Sequence, residues 1–381
     1  MSEKSPSALT ETLSLYFGPL QDPRVLTRNR RHLFEDIIAL TIIGVICGCN
    51  TWTSINDYAT AKQAWLSTFL SLPNGIPSHD TLNDVFSKID PDQFETCFIH
   101  WVQSIAHLLP GGVIAVDGKT VRRSHDAAEN KKAIHIISAW STANSVVLGQ
   151  VKTDEKSNEI TAIPELLQIL SIKKSLVTID AMGCQKKIAE AILAKGADYM
   201  LAVKENQPTL HEEIQRLFLT DEDQFAEACD DFAEQSNRGH GREETRKCWV
   251  SYQVDELEVE PWPSLKSVIM LESTRTIDGK TSHELRFYIS SKQESAAYFL
   301  ECSRAHWEIE NKLHWSLDVG FREDECRIRK GDGARNLALV RKIALNLLKK
   351  DKSTKSGLEA KRMRAGWDND YLLRILSGIL G

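Results

Sequence analysis

Two aspartates stand where apolar runs give way. "VIAVDGKTVRR" (Val113–Arg123) carries Asp117 directly after four residues of strand character, and "SLVTIDAMG" (Ser175–Gly183) carries Asp180 in the same way. A single aspartate at a strand end is ordinarily a solvated cap. Two at matching ends of parallel neighbours lie side by side, and their repulsion calls for a divalent cation. Mg²⁺ suits such a pair, because it takes a few carboxylates and completes its shell with water and phosphate oxygens. A third ligand has an obvious source in "RAHWEIENKLHWSLDVGFREDECRIRKG" (Arg304–Gly331). There His306, Glu310 and His314 recur every four residues and share a helix face with Leu313 and Leu317. Three uses of that face stay open. It can turn a carboxylate toward the aspartates, hold zinc between the two histidines, or carry solvated salt bridges, the last being the competing reading for Glu308. Zinc has the weaker support, since neither H-E-x-x-H nor a cysteine set is present.

Cations follow the first aspartate closely. Lys119, Arg122 and Arg123 are candidates to clamp a phosphate backbone, as are Lys204 with its neighbours Asn206 and Gln207, and Arg242 in "HGREETR". Any one of them can equally be a solvated turn residue. Between Cys326 and Arg364 thirteen Lys/Arg face three acids, which makes Arg327, Arg329, Lys330, Arg335, Arg341 and Lys342 the strongest electrostatic footprint. Trp307 and Trp315 are expected to pack in the core rather than stack on bases. There is no P-loop, G-x-G-x-x-G or G-x-S-x-G, so motor, dehydrogenase and hydrolase-elbow readings lack support.

The elements that would position these residues change along the chain. Residues 1–110 read as helical, with apolar residues at helix period in 33–49, 82–89 and 94–109 and with Ser78 as an N-cap. Short β-rich runs follow at Val113–Val116, Ile134–Ala139 and Val146–Val151, the last two forming a hairpin through "STANS". Helix, strand, helix and strand then alternate to about residue 210, which describes a sheet antiparallel at first and parallel later. Residues 211–292 look inserted: an acidic helix, then strands in "KCWVSYQV", "SVIMLES" and "ELRFYIS". Residues 293–381 return to helix.

The 381 residues, 42% hydrophobic and 26% charged, are ample for a core, and the net charge of −6 excludes a protein that coats nucleic acid by bulk charge. That total conceals an acidic stretch, 211–236, with nine acids against Arg216 alone. Eight cysteines without a C-x-x-C pair read as reduced thiols in a cytoplasmic protein. The run Ile37–Cys49 is too short to span a bilayer; its Gly44 and Gly48 are expected to permit close helix packing.

The segments "VIAVDGKT", "KTDEKSNEITAIPELL", "TIDAMGCQKKIAEAI", "GADYMLAVKENQPTL", "HGREETR" and "HWEIENKLHWSLDVGFREDECRIRKG" together resemble the transposases of bacterial insertion sequences, in particular the ISAs type that includes the H-repeat-associated proteins. The resemblance runs from "GIPSHDTLNDVFSKI" to "AKRMRAGWDNDYLLRIL" and so covers most of the chain. It implies an α/β fold with a ribonuclease-H-like mixed-sheet core, a helical N-terminal region for binding DNA ends, and a β-rich insertion. By motif position it implies a catalytic, metal-binding triad of Asp117, Asp180 and Glu310 with two Mg²⁺ ions, Mn²⁺ being an alternative. The implied partners are double-stranded DNA, as terminal inverted repeats and target, and a second copy of the chain on that DNA; no membrane is involved. One departure stands out. Where related transposases set Tyr, Arg and Lys around the last Glu, this chain has Ser303, His306 and Leu317. Two rival functions are a ribonuclease-H-like nuclease that does not join strands and a catalytically idle DNA-binding derivative.

Overall fold

The computed structural model describes residues 6–25, 30–106, 111–125, 132–153, 159–219, 221–239 and 241–378. The chain opens with helices α1 (Pro6–Phe17), α2 (Phe34–Ile46), α3 (Trp52–Ala61), α4 (Gln63–Leu66), α5 (His79–Phe86) and α6 (Pro91–Ile105). Their starts are set by local hydrogen bonds. Ser78 accepts from the Thr81 amide at the start of α5, as expected, and Asp90 accepts from Asp92 and Gln93 ahead of Pro91 in α6. Helix α2 is apolar on every side and nearly every residue in it is buried, which is the pattern of a helix enclosed by others. Gly44 lets Ile55 of α3 approach, since a Cβ there would stand 3.1 Å from its side chain. Gly48 serves differently from expectation: its φ of +97° ends the helix in a left-handed turn, with nothing near its missing side chain.

The central sheet begins with β1 (Val113–Thr120), β2 (His135–Ser141) and β3 (Val146–Thr153), followed by α7 (Glu159–Ile169), β4 (Leu176–Ile179), α8 (Lys186–Ala194) and β5 (Asp198–Val203). After α9 (Pro208–Phe218) and α10 (Glu222–Ala228) come β6 (Asp231–Gly239), β7 (Arg242–Ser251), β8 (Ser267–Ile277) and β9 (Lys280–Ser290). Among the described residues all nine strands form one sheet in the order β3-β2-β1-β4-β5-β9-β8-β7-β6. In the first five, β2 is antiparallel to β1 while β4 and β5 run parallel to it, which is the ribonuclease-H-like arrangement.

Two sequence expectations change here. Strand β1 does not stop at Asp117; it stays paired with β2 through Thr120, and only its pairing with β4 ends, at Val116 opposite Ile179. The strands of 211–292 extend the same sheet, because β9 pairs antiparallel with β5. The first of them, β6, falls in the stretch expected to be helical, and Phe232, Glu234, Ser236 and Arg238 line its exposed face. Hairpin β8–β9 turns on Asp278 and Gly279, both at positive φ as a two-residue turn requires.

Helix α11 (Ala296–His306) leads into two π-helical turns, Ile309–His314 and Ser316–Gly320, and then α12 (Gly333–Lys350), α13 (Leu358–Trp367) and α14 (Asn369–Ser377) complete the chain. Helices α2, α6 and α12 share one continuous apolar core with the strands, so the N-terminal helices pack on the C-terminal ones. No helix among the described residues is long and apolar enough to cross a membrane. The eight cysteines are free thiols, and burial pushes Cys47, Cys184, Cys248 and Cys302 up to about 12.

Candidate active site

Period-two alternation puts Ala115, Asp117 and Lys119 on one face of β1 and Gly118 and Thr120 on the other. The paired register Val116–Ile179 makes Asp117 and Asp180 the next positions on adjacent parallel strands. Thr178, two residues before Asp180, bonds through its Oγ1 to His306 Nδ1 at 3.0 Å, which identifies the face covered by α11. Asp180 therefore lies on that face, beside Asp117. Behind it, Asn206 donates to the Ala181 carbonyl at 2.6 Å and Gln207 to that of Cys184 at 2.9 Å, fixing the turn that follows Asp180.

Glu310 arrives from α11 through the π turn. The Trp315 amide donates to the Glu310 carbonyl, five residues back, where an α-helix would bond four back. Glu310 Oε2 lies 3.3 Å from His314 Nδ1, and Asp117 Oδ2 lies 3.6 Å from the same nitrogen. Ligand-capable atoms of Asp117, Glu310 and His314 all fall within 4.8 Å of one another. Glu308 turns away and pairs with Lys312 at 2.5 Å. His306 stays outside the group, tied to Thr178, so the zinc pair drawn from the two histidines does not form.

Burial pushes Asp117 up to about 7, with the charges of Glu310 and Asp180 adding to the rise against the pull of His314 and the Gly118 amide. The His314 hydrogen bond draws Glu310 below its ordinary value. Burial drives His306 down to about 4. Carboxylate oxygens and one imidazole nitrogen converging this closely are a donor set that fits a divalent cation.

The expected backbone clamps are distributed unevenly. Lys119 is not at the surface. It is 11% exposed and its ammonium meets Asp318 at 2.7 Å, Asp324 at 3.0 Å and Glu323 at 3.3 Å, a charge already neutralised inside the fold. Arg122 is open to solvent beside Asp324, and Arg123 and Lys204 are exposed. Arg242 is half-exposed and shares Glu244 with Arg246 and Arg275. Arg327 and Lys330 are exposed, Lys330 pairing with Asp84, while Arg329 donates to the Arg123 carbonyl. The inner half of that basic stretch is structural: Arg335 pairs with Asp92 and Glu95, and Arg341 and Lys342 are buried.

Both tryptophans depart from the core placement, for Trp307 is 43% and Trp315 60% exposed. Residues two positions apart on a helix point about 200° from each other, so with Ile309, Leu313 and Leu317 in the core Trp307 and Trp315 face outward. Sequence reasoning missed the Glu244 cluster, although Arg242, Glu244 and Arg246 alternate on one strand face, a period-two signal. It also missed the carboxylates around Lys119, whose partners lie some two hundred residues away and leave no local trace.

A family profile described as "Transposase DDE domain" matches residues 109–347, and its companion described as "DDE_Tnp_1-associated" matches residues 15–102. The chain belongs to the DDE transposases. Two relatives from Escherichia coli (strain K12), the putative protein YbfL and the H repeat-associated putative transposase YhhI, are each 44% identical over 353 residues, covering 91% of this chain and 93% of theirs. A solved piggyBac transposase synaptic complex with hairpin DNA superposes with a TM-score of 0.44 at 12% identity, over 100% of this chain and 79% of that one, too slight a likeness to carry weight. In this transposase the two profiles meet between the N-terminal helices and β1, and the second runs through the insertion to α12.

Proposed function

We propose that this transposase cuts the ends of an insertion sequence and joins them to target DNA, with Asp117, Asp180 and Glu310 as its catalytic, cation-holding residues. What supports this is the strand register that makes Asp117 and Asp180 the next positions on adjacent parallel strands, together with the approach of Glu310 to Asp117 beside His314. Divalent ions held there, Mg²⁺ or Mn²⁺ and two in number, would supply activation of a water or 3′-hydroxyl and charge stabilisation for an in-line displacement.

The chain's part is to hold the ligands still. Asp117, central in the sheet, would be the carboxylate common to the bound ions, with Asp180 and Glu310 as the further ligands. Lys119 braces the segment after Glu310 against β1 by gathering Asp318, Glu323 and Asp324. Asn206 braces the turn after Asp180. Arg122, Arg123, Lys204, Arg242, Arg327, Arg329 and Lys330 are assigned to the DNA backbone, the exposed ones most directly. Residues 1–110 are assigned to binding DNA ends, 111–210 and 293–381 to the catalytic core, and 211–292 to the insertion. A homodimer on paired ends in the bacterial cytoplasm is the working assembly.

Purified protein, Mg²⁺ and DNA carrying the element's flanking ends give the decisive assay. Asp117→Asn, Asp180→Asn and Glu310→Gln should each abolish cleavage and leave DNA binding intact, whereas Glu308→Gln should cleave normally. An active triad variant removes that residue from the site. Cleavage without joined products would favour the nuclease reading, and binding without cleavage the idle derivative.

A further inference from the structure

We propose that His314 is a ligand of the cation shared by Asp117 and Glu310, and that its nitrogen biases this one position toward Mn²⁺ over Mg²⁺. The inference rests on the carboxylate site proposed above and adds a residue to it.

The ring of His314 is only 5% exposed, and its polar neighbours gather at Nδ1, which faces Glu310 Oε2 at 3.3 Å and Asp117 Oδ2 at 3.6 Å. Nε2 is buried with no hydrogen-bond partner. Which nitrogen of a histidine carries the proton is set by the bond the other one makes, and here no bond on the far side holds the proton on Nδ1. Nδ1 can donate to Glu310 when no ion is present, and it can offer its lone pair once the proton resides on Nε2. His306, a rival by its spacing, is committed to Thr178 instead.

The geometry is close to that of a shell. Ligands about 2.1 Å from one ion lie roughly 3 Å apart when adjacent and about 4.2 Å apart when opposed. The three atoms here, within 4.8 Å of one another, need only a small inward movement. Chemistry then separates the two cation positions. An ion held by Asp117 and Asp180 would draw on carboxylate oxygens and suit Mg²⁺, while an imidazole nitrogen suits Mn²⁺ and later first-row ions and gives Mg²⁺ little.

The test uses the full chain and the free metals. His314→Asn keeps an N–H near the place of Nδ1, so the hydrogen bond to Glu310 can survive while the imidazole ligand is lost. Calorimetric titration should show Mn²⁺ affinity at one position falling about tenfold or more, on the scale of lost ligand support, with Mg²⁺ affinity changing about twofold or less. Electron spin-echo spectroscopy of the Mn²⁺-loaded wild type should show a nitrogen coupling that changes on ¹⁵N-histidine labelling and disappears in His314→Asn. Unchanged Mn²⁺ affinity in a folded variant, or no nitrogen coupling in the wild type, overturns the assignment. The wild-type spectrum decides alone if the variant does not fold. Asp117→Asn separates the two levels: loss of Mn²⁺ uptake there, with His314→Asn unaffected, leaves the carboxylate site standing and removes only the histidine. Unchanged uptake in both variants removes the carboxylate site as well.

Discussion

Gly118 has no freedom to be anything else. It faces away from Asp117 on β1, and a Cβ there would stand 2.4 Å from His135 Nε2 and 2.5 Å from Glu159 Oε1. Those two form a buried pair at 2.6 Å, and Thr120 holds the other ring nitrogen of His135 at 2.8 Å. Gly118→Ala must therefore separate a buried pair next to the proposed catalytic aspartate. Overpacking of this kind costs about 1–3 kcal/mol, and more where a buried hydrogen bond is broken, so urea denaturation should show a loss of at least that order. A midpoint equal to wild type would mean that the pair gives way freely. Glu95 offers a test by pH. Burial pushes it up to about 7 from an ordinary 4.5, against the pull of Arg335, which it meets at 3.1 Å, and of Lys342. A carboxyl raised in the folded state contributes stability that is complete below pH 4.5 and lost as pH climbs through 7. Melting temperature should accordingly fall between about pH 5 and 8, and Glu95→Gln should flatten that part of the profile. An identical slope in the variant would assign the effect to other groups.

At the scale of elements, the join between β1 and the segment after Glu310 is made by one ammonium among three carboxylates. Lys119→Met leaves Asp318, Glu323 and Asp324 facing one another, and removing one side of a buried ion pair costs about 3–5 kcal/mol. Adding Glu323→Gln should restore part of that stability in urea denaturation, because it relieves the repulsion among the three acids even though Glu323 also sits against Arg341 at 3.6 Å. If the double variant is no more stable than the single, Lys119 does not brace this join. Such tertiary pairings explain what could and could not be read in advance. Helix α2, the β2–β3 hairpin and the βαβ run through β5 announce themselves by periodicity and apolar content, and the pairing of Asp117 with Asp180 follows from them. Glu310 is singled out only by the motif position that the family resemblance implies. The π turn does not, since it differs from an α-helix by a single bond offset while keeping the apolar spacing of Ile309, Leu313 and Leu317. Strand β6 hides behind its acidic and polar composition. Lys119 looks like a surface cation because its partners are set by the tertiary fold alone, and Arg341 and Lys342 mislead in the same way.

For the whole molecule, the nine-stranded sheet makes one face continuous from the proposed active site to the tip of the insertion. Cys248 and Val250 of β7 pack against Phe299 and Cys302 of α11, so Arg246, Glu244 and Arg242, at the same parity, extend that face outward. Arg275 of β8 joins them opposite Glu244, Arg304 reaches from the end of α11 to Gln235, and Arg286 lies 4.5 Å over the exposed Trp307. Five arginines against Glu244 and Glu284, the latter 2.6 Å from Arg286, make a cationic surface that reaches the end of α11 at Trp307. The basic stretch at Arg327, Arg329 and Lys330 offers a second one, but two of its three side chains already have partners. Salt dependence can rank them. Each phosphate left unneutralised should lower the slope of log K against log salt by about 0.9, so Arg242→Gln with Arg275→Gln should reduce it by about 2 on duplex carrying the element end. Those arginines neighbour a buried glutamate, and circular dichroism of the variant guards against simple unfolding. Arg327→Glu with Arg329→Glu and Lys330→Glu should weaken binding to unrelated sequences as well, with a smaller change per residue. A slope unchanged by the insertion pair and flattened by the C-terminal set would move the DNA off the extended sheet and onto the segment that follows the π turns.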